Sequence, residues 1–149
     1  LNFVENMFQD NESYSKKNVI RGMHFQWDQP LGKLVRVAKG SVMDVVVDIR
    51  KNSPTYGQHL RLELTDKNHK QLWVPPGFAH GFLSLEEGTY VMYKYSNAYN
   101  QKGESGIDPF DETLNIDWGI PREEIVLSSK DSKAQSFIEY DQEPKFIFT

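Results

Sequence analysis

The chain is 149 residues long and contains no cysteine, which excludes a disulfide framework, a thiol nucleophile and Cys-ligated zinc, and suits a reducing cytoplasm. Apolar residues at 38% and charged residues at 26% mark one globular domain over residues 1–149, and a net charge of −4 offers no broad basic face for nucleic acid. No apolar run reaches bilayer length and no signal peptide is read, so no membrane association is expected.

Aromatic residues at 13%, together with many Val and Ile, favour sheet over helix. Asn18 to Gln26 is extended, and Pro30 and Gly32 mark a loop after it. Lys33 to Ala38 alternates, Lys39-Gly40-Ser41 turns and Val42 to Ile49 returns, a hairpin signature. Gln58 to Leu64 and Lys70 to Val74 are two further extended runs, the second ending in the stiff turn Pro75-Pro76-Gly77. Phe78 to Leu85 and Thr89 to Ser96 read as a second hairpin around Glu86-Glu87-Gly88. Beyond Asn97 the pattern breaks into polar loops, with a brief helix expected around Pro121 to Ile125. Short strands at this spacing predict an all-β sandwich or barrel.

Side-chain alternation assigns faces within these strands. Met43, Val45, Val47 and Ile49 point one way, Asp44, Val46 and Asp48 the other; an acid on so apolar a strand lies at water or in a polar cavity. His80 shares a face with Phe82 and Ser84, and Val91 with Tyr93 and Tyr95. His24 falls on the face opposite Arg21, so one pocket could hold both only if the strand bulges at Gly22.

The four histidines, His24, His59, His69 and His80, include no close His-x-His pair, so the spacing gives no support for a metal centre. There is no Gly-rich phosphate loop and no G-x-S-x-G elbow. Acid–base chemistry by His, Tyr, Lys and Asp remains. Residue by residue, bland readings compete with it. Tyr93 stands among Tyr90, Tyr95 and Tyr99, as in a buried tyrosine ladder; Lys33 and Lys130 could be solvated charges, and Asp131 a cap.

Three segments shift that balance: N-V-I-R-G-M-H-F-Q (Asn18 to Gln26), K-L-V-R-V-A-K-G-S-V-M-D-V-V-V-D-I-R-K-N-S-P-T-Y-G (Lys33 to Gly57) and Q-L-W-V-P-P-G-F-A-H-G-F (Gln71 to Phe82). Together with T-L-N-I-D-W (Thr113 to Trp118) and L-S-S-K-D (Leu127 to Asp131), they resemble the dTDP-4-dehydrorhamnose 3,5-epimerase family, over about Phe8 to Asp131. The resemblance implies a cupin, a jelly-roll β-barrel of two antiparallel sheets, with a short helical or looped C-terminal segment. It implies a nucleotide-sugar substrate, no cofactor, no metal and a homodimer.

By the same resemblance His24 matches the general base, Asp131 the acid that pairs with it, Tyr93 the general acid on the sugar's opposite face and Lys33 the oxyanion partner. His80 matches a second pocket histidine. Gln9, Asn11, Arg21, Glu104 and Lys130 match nucleotide-sugar contacts, and Tyr99 the aromatic that stacks on the base. The chemistry requires such groups. Hydrogens on C3 and C5 flank a C4 ketone, so removing one leaves an enolate whose charge needs a fixed cation. Histidine is suited to abstraction near neutral pH, and inversion requires a second acid on the other face. Two departures stand out: the family's early Arg-Gly and aromatic segment has no counterpart here, and Ala98 stands where many relatives carry Tyr. After Gln135 nothing aligns.

Overall fold

A computed structural model describes residues 6–149 as eleven strands with little helix. In chain order these are β1 (Gln9–Ser15), β2 (Ile20–Gln26), β3 (Lys33–Lys39), β4 (Ser41–Asp48), β5 (Arg50–Lys51), β6 (His59–Thr65), β7 (Gln71–Val74), β8 (Phe78–Ser84), β9 (Thr89–Tyr95), β10 (Glu104–Gly106) and β11 (Phe146–Ile147). They form an antiparallel four-stranded sheet, β1-β9-β3-β7, facing an antiparallel five-stranded sheet, β10-β2-β8-β4-β6; a small parallel pair joins β11 to β5. The expected all-β architecture of two antiparallel sheets is present.

Both expected hairpins are corrected. β3 and β4 lie in different sheets, and so do β8 and β9. Alternation and a turn signal show where a chain reverses, but a corner between two sheets uses the same signals. What excludes the local pairing is burial on both faces of β4. Its Val42 and Val46 pack between the sheets with Val35, Leu64, Phe82 and Val91. Its Val45 and Val47, with Ile49 just beyond, join a second core on the outer face of the five-stranded sheet. A strand apolar on both sides is central, so β4 takes β6 and β8 as neighbours. Each fully buried Val or Ile contributes roughly 1.5–3 kcal/mol.

The outer core is closed by the segment after Asn97, which is less of a loop than its polarity implies. Ile107, Leu114, Trp118, Phe137 and Tyr140 are buried against β2, β4 and β8. Trp118 donates its indole N–H to Pro109 O at 2.8 Å, and Tyr140 its hydroxyl to Ile49 O at 2.8 Å. The helix expected around Pro121 to Ile125 is a single 3₁₀ turn, Arg122–Glu124. The one α-helix among the described residues, α1 (Phe137–Gln142), begins at a reciprocal capping box between Ser136 and Glu139. Strand β1 was not expected, because its inward residues Gln9, Asn11, Ser13 and Ser15 are all polar.

Candidate active site

The bulge required at Gly22 exists. Pairing of β2 with β8 shifts register between Arg21 and His24, and Gly22 has φ +124°. A Cβ on Gly22 would stand 2.6 Å from Gly81 Cα, so glycine at both positions lets the two strands approach here. The shift brings Arg21 and His24 to one cavity of about 550 Å³, within the range of small-molecule sites. It lies at one end of the space between the sheets.

Of the residues named from the sequence, His24, Tyr93, Asp131, Lys33, Asn11, Arg21, His80, Tyr99, Glu104 and Lys130 all line this cavity. Gln9 is not among the residues lining it. Its side chain instead accepts from the Tyr99 backbone N–H at 3.0 Å and donates to Asn11 at 2.9 Å, positioning its neighbours. His69 is exposed, as expected; His59 is half-buried in a separate cavity at β6 and β7.

His24 Nε2 lies 2.5 Å from Asp131 Oδ1, across 107 residues of sequence. Burial alone would raise the Asp131 carboxyl, but the bonds from His24, the Gly22 N–H at 3.2 Å and Ser128 outweigh it and hold it below the usual carboxylate range. A carboxylate only accepts, so Nε2–H donates and the lone pair of the neutral ring is left on Nδ1. Nδ1 stands 3.8 Å from Glu104. Glu104 also accepts from Lys130 Nζ at 2.8 Å and from the Tyr99 hydroxyl at 2.6 Å; these bonds outweigh its burial and keep its carboxyl low.

His80 is the cross-strand neighbour of His24 and donates from Nε2 to both oxygens of Asp44, at 3.0 and 2.9 Å. Asp44 was noted from sequence only as an acid on an apolar strand; it is fully buried behind the cavity and is satisfied by His80. Asp48, four residues along on the same face, accepts from Arg50, Ser53 and Thr55 instead and anchors the loop after β4. The Tyr93 ring meets the His80 ring edge-on at 6.2 Å. Burial pushes its phenol far above the usual range, and a 3.3 Å contact with Ser13 partly offsets this. Desolvation pulls Lys33 down to about 8, against the attraction of Glu104 and Asp44. Ser13, Tyr95 and Ser128, which also line the cavity, were not singled out as site residues. The parity of Tyr95 with Tyr93, and the place of Ser128 in L-S-S-K-D, pointed to two of them.

The dTDP-4-dehydrorhamnose 3,5-epimerase family profile matches residues 1–139. This chain belongs to that family. The dTDP-4-dehydrorhamnose 3,5-epimerase of Salmonella typhimurium is 50% identical over 128 residues, spanning 85% of this chain and 69% of the relative. The enzyme of that name from Methanothermobacter thermautotrophicus is 46% identical over 124 residues, 83% of this chain and 67% of the relative. The crystal structure of dTDP-6-deoxy-D-glucose-3,5-epimerase from Legionella pneumophila, in complex with dTDP-4-keto-L-rhamnose, superposes with a TM-score of 0.94 at 40% identity. That match covers 99% of this epimerase-family chain and 78% of the Legionella chain.

Proposed function

We propose that this chain inverts C3 and C5 of a dTDP-linked 4-keto-6-deoxy sugar. The observation that carries the reading is the His24–Asp131 pair sharing one cavity with Lys33 and Tyr93. In this scheme His24, oriented through Nε2 by Asp131, takes the proton from carbon. The enolate oxygen forms against the Lys33 ammonium, and the Tyr93 phenol, protonated at neutral pH, returns a proton from the opposite face. His80, held by Asp44, lines the sugar's side of the cavity. Asn11, Arg21, Glu104 and Lys130 contact the nucleotide sugar, with Arg21 and Lys130 the cations available to its diphosphate, and Tyr99 offers a half-exposed ring on which a base can stack. No cofactor is required.

Incubation with dTDP-4-keto-6-deoxyglucose in heavy water tests this reading, with deuterium at both C3 and C5 as the expected NMR result. Exchange at one carbon would make it a mono-epimerase. Ligand-induced stabilisation without exchange would leave only a binding cupin. The protein is further proposed to act in the cytoplasm as a homodimer, supported by exposed Phe8 and Tyr14 along edge strand β1. Light scattering of the purified protein reads the oligomeric state. Among the described residues no helix is long and apolar enough to cross a membrane.

A further inference from the structure

Lys33 is a cation with an unusual setting. It opens β3 at the cavity wall, and among the described residues its ammonium has neither a hydrogen bond nor an ion pair. What it does meet is the ring of Tyr95, 5.8 Å from Nζ to the centroid. Lys33 and Tyr95 are direct partners across β3 and β9, so their side chains share a face by register. The Tyr95 ring also packs at a tilt against that of Tyr93, 6.2 Å between centroids.

We propose that Tyr95 is the positioning residue for Lys33: its ring face holds the ammonium at the cavity wall while leaving the N–H donors free for an oxyanion. The inference rests on the reading of Lys33 given above. A bonded carboxylate would occupy those donors and repel the enolate as its charge develops. An aromatic face attracts a cation through its quadrupole and offers no lone pair in the ring plane's place. Tyr95 remains neutral in this role, since burial first and the Glu104 carboxylate second push its phenol up to about 12. Around Lys33 stand Asp44 on β4, His24 on β2, His80 on β8, Tyr93 on β9, Glu104 on β10 and Lys130 in the C-terminal segment. Glu104 and Asp44 favour the charged amine from a distance, burial and Lys130 oppose it, and the ring adds to the first group.

The pH profile of kcat in the full protein tests this. Loss of the Lys33 proton is expected to give a descending limb near pH 8. Tyr95→Phe keeps the ring, and should leave the limb in place with kcat within about threefold of the parent. Tyr95→Leu removes the ring. It should move the limb down by roughly half to one pH unit and lower kcat about two- to fivefold at pH 8, with KM little changed. Should the leucine variant fail to fold, Tyr95→Met is read by the same criteria. Lys33→Arg, charged throughout, should flatten the limb or abolish turnover. An unmoved limb in the ring-less variants, or a phenylalanine variant as impaired as leucine, would overturn the role of Tyr95 alone. A limb and rate unchanged in Lys33→Arg would instead overturn the reading of Lys33.

Discussion

His24 and His80 are neighbours across β2 and β8, and each donates through Nε2 to an aspartate, yet their surroundings differ. The His24 side chain is 24% exposed and its partner Asp131 comes from a 3₁₀ turn in the C-terminal segment. The His80 side chain is 3% exposed, and Asp44 sits fully buried in the middle of β4. The first pair has a ring open to the cavity and a carboxylate supplied by the C-terminal segment. The second pair is almost wholly buried: His80 lines the cavity floor with its ring edge against Tyr93, and Asp44 behind it satisfies its Nε2–H. Similar chemistry therefore carries different consequences, set by burial and by which element supplies the acid.

Removing one member from each pair should separate activity from stability. His24→Ala is expected to lower turnover by at least about a thousandfold with only a modest fall in the thermal midpoint, from the Asp131 carboxylate left without its partner, and exchange into C3 and C5 should be lost together. Normal exchange at both carbons would remove His24 as the base. Asp44→Ala should do the converse. A buried partner left alone costs about 3 kcal/mol, readable as a lowered urea midpoint, with a smaller effect on turnover per folded molecule. An unchanged midpoint would show that the second pair is not structural. Asp131→Asn should slow turnover about a hundredfold, because the amide no longer selects the Nε2-protonated ring.

Acid titration sharpens the contrast further. The carboxyls of Asp131 and Glu104 are held below their ordinary values, so the stability they contribute is present above the usual carboxylate range. It is lost as pH falls through their depressed values. Urea midpoints measured from pH 6 to pH 3 should thus decline more steeply in the parent than in Asp131→Asn; parallel curves would count against the pairing. The smallest effect lies farthest from the cavity. Ser136→Ala removes the α1 cap and should cost about 1 kcal/mol by thermal denaturation, with the rate of exchange unaffected.

The amino-acid sequence alone determined most strand positions and which side chains share a face of β4, β8 and β9, and the family resemblance carried the residue types gathered at the cavity. Alternation and turn chemistry are local properties, and the spacing of R-G-M-H-F-Q, K-L-V-R and S-S-K-D is visible without any fold. Tertiary structure alone decided that β3 leaves β4 for β9, that Asp44 receives His80 and that Tyr95 lies beside Lys33. Polar β1 and the apolar residues scattered through the C-terminal segment carried no periodic signal, and only docking gave them a place. The physical reason is common to all of these: a strand's alternation states which face is buried, but its hydrogen-bonding edge is equally open to any partner. Long-range packing makes that choice, by burying both faces of β4 at once.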